Sequence, residues 1–392
     1  MGENSYTRSA SGSRRIAIWS AARLLAILGV ALISYCAVGT RPGFAQSTGG
    51  GVSSFCQQND VANCQGPTTV PEEDVAGAGQ RQIEQRLQQI RCESSQDPTC
   101  VAQGGASADS VSLDGFSWFA SGEYQHKDRD QTANQLGFDT DTAGGTVGID
   151  YRLETWGVIG GAFNYRHDFG EYKHSYGDFD MDTENFIIYG SYFPSDQSFI
   201  DLSFGFANKD FSDTHADNIV AGNTVSGDTS GFEFTGDLSG GYDFSFDAFT
   251  IGPRAGLHYK RTDLNGFSEN SANPAANLDT YLDQKYESFT GTLGAQASYA
   301  ISADFGVVVP QISAEYVHEF LDGQNNQVIL GCCGPGVVTF AGDNPDHNYA
   351  NVGAGVVFVL PNGVSPFLNF QAELGNSLEQ TETVSAGVRV EM

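Results

Sequence analysis

Past its first 45 residues this 392-residue chain contains no run of 18 apolar residues, so it has no segment able to cross a membrane as a helix. Basic residues are scarce: 19 Lys and Arg stand against 48 Asp and Glu, a formal net charge of -29, which excludes nucleic acid as a partner. Catalytic signatures are missing too. There is no GxSxG, no GDS-type nucleophile and no HExxH, and His318-Glu319 has no second His at the spacing a metalloprotease needs. Cys332 and Cys333 are adjacent but lack the second CxxC of a zinc ribbon. The chain is therefore expected to be no enzyme and to carry no cofactor.

What is present begins with an export signal. Arg8, Arg14, Arg15 and Arg23 precede an apolar run from Leu24 to Val38, and Gly43-Phe44-Ala45 offers small residues for cleavage before Gln46. At 15 residues the run is short for a permanent anchor. Residues 1–45 are thus expected to be removed, which takes away five Arg and one Glu and leaves the remainder more acidic still. Six of the seven cysteines then remain, in a compartment that oxidises thiols. Cys56 with Cys64 and Cys92 with Cys100 each enclose seven residues, and are the simplest pairs. For Cys332 and Cys333 a vicinal disulfide and a plain loop staple both stay open.

From Asp114 onward apolar and polar residues alternate with period two. Phe232, Phe234, Leu238, Tyr242, Phe244 and Phe246 stand against Glu233, Thr235, Asp237, Ser239 and Asp243, so the two sets lie on opposite faces of extended chain. Likewise Ile200, Leu202, Phe204 and Phe206 oppose Asp201, Ser203 and Lys209. Twelve such runs are expected, at 116–126, 143–152, 156–167, 183–193, 197–209, 230–245, 248–261, 285–301, 305–319, 347–360, 364–374 and 381–392. Their connections alternate between short turns (153–155, 194–196, 246–247, 302–304, 361–363) and long polar segments (127–142, 168–182, 210–229, 262–284, 321–346), until the last, 375–380, which is only modest in length. A soluble β-sandwich has no reason to sort its loops by parity. A transmembrane barrel does, with short periplasmic turns and long outer loops. Without spanning helices, a closed barrel is also the remaining way to satisfy backbone groups in lipid.

Two further features stand out. Glu72-Glu73-Asp74 after Pro71, followed by Gln80 to Cys92, reads as a helix with Ile83, Leu87 and Ile90 along one stripe and Arg81, Arg86 and Arg91 around the rest. It either fills the barrel, its arginines meeting Glu123, Asp150, Asp201, Glu233, Asp237 or Glu315, or packs outside through its apolar stripe or pairs with a second chain in the periplasm. Asp178, Asp180, Asp182 and Glu184 recur every second residue and share one face of an extended strand. That ladder suits a divalent cation, or lipopolysaccharide bridged through one, while a self-repelling solvated acidic loop is the plainer reading.

The run Val309-Pro310-Gln311-Ile312-Ser313-Ala314-Glu315-Tyr316-Val317-His318-Glu319-Phe320 resembles the ninth strand of autotransporter β-domains, and Tyr189-Gly190-Ser191-Tyr192 through Phe204-Gly205 is similar to their fourth and fifth. The resemblance implies a 12-stranded barrel at the C-terminus, inserted by the outer-membrane assembly machinery, with a helix in its pore. It departs from the family at Val388-Arg389-Val390-Glu391-Met392, where an aromatic terminus is usual, a difference that bears on insertion rather than fold. The expectation is all-β: a 12-stranded antiparallel transmembrane barrel over 113–392, a linker and helical segment with two Cys loops over 46–112, and a signal peptide over 1–45. The barrel would sit in the outer membrane of a Gram-negative bacterium, touching lipid and lipopolysaccharide. It would anchor or export a short N-terminal segment; a structural, adhesin-like or porin-like surface barrel is the alternative.

Overall fold

The computed structural model describes residues 80–94, 115–132, 135–217, 220–321, 327–331, 334–340 and 342–391. The signal peptide, Glu72 to Asp74, Cys56, Cys64, Cys100, Cys332, Cys333 and the side chains of Ile90, Arg91 and Cys92 lie outside them.

Among the described residues twelve long strands form a barrel: β1 Phe116–Arg129, β2 Phe138–Leu153, β3 Gly157–Tyr172, β4 Gly177–Ser195, β5 Ser198–Ala216, β6 Thr224–Tyr242, β7 Phe249–Leu264, β8 Gln284–Tyr299, β9 Gly306–Glu319, β10 Asn348–Val359, β11 Val364–Leu374 and β12 Glu379–Glu391. Each pairs antiparallel with its neighbour in sequence, and β12 returns to β1 in a register running from Ser117 opposite Glu391 to Arg129 opposite Glu379. The sheet is closed. Every strand in the sequence reading is found.

The short connections gather at one end, where Gly306 and Gly363 take φ of 146° and 70°, backbone angles that favour glycine. At the other end the strands run further than the apolar alternation suggested. β2 begins at Phe138 rather than residue 143, β3 reaches Tyr172, β4 starts at Gly177, β5 reaches Ala216 and β6 starts at Thr224. Much of the expected long loops at 127–142, 168–182 and 210–229 is therefore strand.

The reason is a change of polarity along each strand. Nearer the short turns the outward side chains are apolar and exposed, among them Ile149, Phe163, Phe186, Ile188, Ile200, Leu293 and Ile312, as a lipid-facing band requires. Above that band the same parity carries polar outward groups: Asp178, Asp180, Asp182 and Glu184 on β4, and Asn208, Asp210, Ser212 and Thr214 on β5. The inward positions become apolar, and Phe138, Tyr172, Phe179, Met181, Phe211, Leu264 and Tyr286 form a buried cluster inside the extension. The extension has the polarity of a soluble sheet, with the alternation reversed and no break in register. At the boundary Tyr124 and His126 share Asp141, and Tyr165 and His167 share Asp182. Phenol heads there mark the edge of the apolar band.

Two loops at this end meet in a second, four-stranded sheet. The Gln327–Gly331 and Gly334–Phe340 hairpin pairs with Thr280–Tyr281, which pairs with Phe267–Ser268.

Leu293→Arg places a charge in the middle of the apolar band and should lower unfolding free energy in liposomes by about 2–4 kcal/mol. Asn208→Arg, outward but above the band, should change it by less than about 0.5 kcal/mol. Equal losses at both positions would disprove the assigned boundary of the lipid-facing band.

Candidate functional site

The lumen is occupied. Helix α1 (Gln80–Ser94) places its first eight residues among the inward side chains of β1 to β7 and β12. Its 15 residues span about 22 Å.

Each face of α1 has a different partner. Ile83 and Leu87 are buried against Phe119, Val158, Ala162, Ile187 and Tyr189, an apolar patch on the inward faces of β1, β3 and β4. Gly148 and Gly160 make room for it: a Cβ at either would fall within 2.4 Å of the Phe119 or Tyr189 ring. On the next face Arg86 grips Asp150 in a two-point bond, Nε to Oδ2 and Nη2 to Oδ1 both at 2.7 Å. The same Nη2 donates to Ser117 Oγ, the guanidinium lies over the Phe119 ring, and Tyr189 donates to Asp150. Arg81 donates to Gln125 at 2.6 Å and stands 4.0 Å from Glu123. Gln80 reaches Ser203, Thr235 and Asp237, while Gln85 accepts from Ser385 on β12.

Of the six lumen carboxylates named from sequence, Asp150 and Glu123 meet helix arginines. Asp237 instead takes Gln80 and His258, Glu233 takes Lys209 and Thr262 of the wall, and Asp201 takes Ser191. Glu315 lines a polar cavity between α1 and β8 to β12, with Gln296, Gln311, Asn351 and Gln371. Sequence reasoning missed the glutamines of α1 and the apolar patch. The patch left a signal: at Phe186-Ile187-Ile188-Tyr189 the alternation fails, because apolar residues occupy the inward parity as well.

The carboxylates of Asp178, Asp180, Asp182 and Glu184 share the outward face of β4 as expected. Asp182 accepts from Tyr165 and His167, and Asp180 lies 3.5 Å from His167 Nε2. No three of the ladder's carboxylates converge as ligands.

The Autotransporter beta-domain pattern matches residues 118–371. The chain belongs to the autotransporter β-domain family. It is an outer-membrane translocator barrel. Among solved structures it is similar to the translocator domain of autotransporter NalP from Neisseria meningitidis, at 13% identity and TM-score 0.59, covering 82% of this chain and 100% of that one. It is also similar to the β-domain of the Bordetella autotransporter BrkA, at 17% identity and TM-score 0.54, covering 71% and 100% respectively. No curated protein matches it by sequence.

In an outer-membrane barrel of this family the long loops face outward, so the extension is extracellular. There the loop between β7 and β8 is tied to β5 through buried charge. His215 places Nδ1 2.9 Å from Asp213 and Nε2 3.2 Å from Glu269, under the stacked ring of Tyr176. Glu269 also accepts from Tyr281 and from the backbone N–H of Asp279. Burial opposes charge on His215, but hydrogen bonds to Asp213 and Glu269 outweigh it and raise its pKa to about 9. Burial, then the nearby Glu269, pushes Asp279 up to about 7.

Two outcomes are expected. Arg86→Met leaves Asp150 buried without its cation and should cost about 3–5 kcal/mol of stability, much of it recovered when Asp150→Asn is added. A thermal-unfolding double-mutant cycle with no coupling would contradict this pairing. Second, docking of residues 265–283 should weaken as pH rises. The raised His215 pKa stabilises the docked loop below about 6.5 and loses its effect through about 9, and the raised Asp279 pKa acts in the same direction between about 4 and 7. Hydrogen-exchange protection factors in this loop should therefore fall from pH 5 to pH 9, and His215→Gln should flatten the upper part.

Proposed function

We propose that this barrel anchors and translocates the segment preceding it, and that α1 is the tail of that segment held in the pore as a plug. The observation that carries the reading is the matched fit of α1 to the wall, with Ile83 and Leu87 on the apolar patch and Arg86 on Asp150. An inward apolar patch is costly in a wet lumen unless a partner covers it. A porin-like role gives that patch no purpose. Arg86 lies near the short-turn end, beside Ser117 at the start of β1, while Gln80 lies deeper, beside Thr235 and Asp237. The chain thus runs from the interior toward the periplasmic end before entering β1, as it must if its upstream part leads outward. Arg81 and Arg86 are the charged contacts of the plug, and Arg91 belongs to the same helix.

The barrel works without catalysis in this reading. Its outward apolar band contacts outer-membrane lipid, the acidic ladder contacts lipopolysaccharide through divalent ions, and the barrel-insertion machinery places it.

Deleting residues 72–100 should raise single-channel conductance in planar bilayers, and replacing Arg81 and Arg86 by Glu should act in the same direction. Equal conductance of the full-length and deleted proteins would remove the plug.

A further inference from the structure

We propose that the lumen binds a divalent first-row cation, zinc by its donor set, between α1 and the barrel wall on Glu84, Asp237 and His258. Asp237 and His258 face each other across β6 and β7, and Glu84 of α1 stands over them. One ligand atom from each lies within 4.8 Å of the others. His258 Nδ1 is 2.7 Å from Asp237 Oδ1 and 4.0 Å from Glu84 Oε1. An imidazole suits zinc among the first-row divalent ions, carboxylates complete a mixed nitrogen and oxygen set, and three protein ligands leave a further position for water.

A second observation points to the same place. Gln80, one helical turn before Glu84 and 1% exposed, donates to Asp237 Oδ2 at 2.5 Å, and its buried Oε1 has no hydrogen-bond partner. A buried acceptor needs a partner, and beside a ligand carboxylate a cation with its bound water can supply one. Glu315 and Asp201 add negative charge around Glu84, while Arg81 and Arg86 are engaged on β1 and β2. Glu84 also lines the polar cavity of Gln296, Gln311 and Glu315, which gives the ion a route in.

Binding replaces the proton that His258 shares with Asp237, so affinity falls as pH falls. The ion links α1 to β6 and β7 and so fastens the helix in the pore. The site rests on the position of α1 and not on any transport step, so its test reads metal rather than conductance.

Folded full-length protein in detergent, stripped with a chelator, is titrated with zinc against a competing chromophoric chelator. One tight ion is expected. Glu84→Gln and His258→Gln should each weaken it by about tenfold or more, whereas Asp180→Asn with Asp182→Asn should leave it. Unchanged affinity in both lumen variants overturns the proposal, as does loss of the ion in the ladder variant alone. Heat-modifiable gel mobility checks that each variant is folded. The zinc X-ray absorption spectrum of the wild-type protein gives a reading that needs no variant: imidazole nitrogen with oxygen supports the site, and oxygen alone overturns it.

Discussion

A strand crossing hydrocarbon cannot leave a peptide group unpaired, and the closure of β12 on β1 follows from that constraint. Once the ring is shut, the parity of each strand is fixed by its neighbours. Lipid then selects apolar side chains at one parity, but only over the height of the bilayer. Beyond it the backbone pairing continues from β2 to β6 while the selection reverses, so Phe179 and Met181 turn inward and Asp178 to Glu184 outward. A single register thus carries two opposite polarities, and the outer part gains a core of its own.

The same parity makes the lumen polar, and α1 exploits the exception. Covering Ile83 and Leu87 contributes about 1.5–3 kcal/mol each, more than a buried ion pair yields after desolvation. Adhesion of the helix therefore comes from the apolar patch, and Arg86 fixes its height and rotation through a two-point bond. Elsewhere the helix meets the wall mainly through amides, at Gln80, Gln82 and Gln85, with Glu84 facing His258. Such contacts hold without excluding water, and the cavity beside β8 to β12 stays polar.

The strand count, the closure and the facing of Phe232, Leu238 and Ile200 were all legible, because lipid writes a strong period-two signal. The outer halves of β2 to β6 were not, since polar residues dominate them and their apolar ones, Phe179, Met181 and Phe211 among them, fall on the opposite parity from the lipid-facing band. At the site, charge was legible and complementarity was not. Arg81 and Arg86 could be matched to a list of carboxylates by sign alone. Which carboxylate each meets depends on strand stagger, which no local pattern encodes. The patch of Phe119, Val158 and Tyr189 is assembled from residues far apart in sequence, and only its β4 portion left a local trace.

The reversed polarity of the extension also bears on how the barrel is built. The outer ends of β4 and β5, away from the short turn that joins them, carry Asp178, Asp180, Asp182, Glu184 and Asp210 on the side that faces lipid lower down. Drawing an aspartate through the centre of a bilayer costs about 2.5–3.5 kcal/mol, and these would cross together. Those strand ends do not reach the cell surface cheaply by sliding outward through hydrocarbon. A wet path spares them that cost, which favours passage of the outer lobe through an aqueous gap before the ring seals.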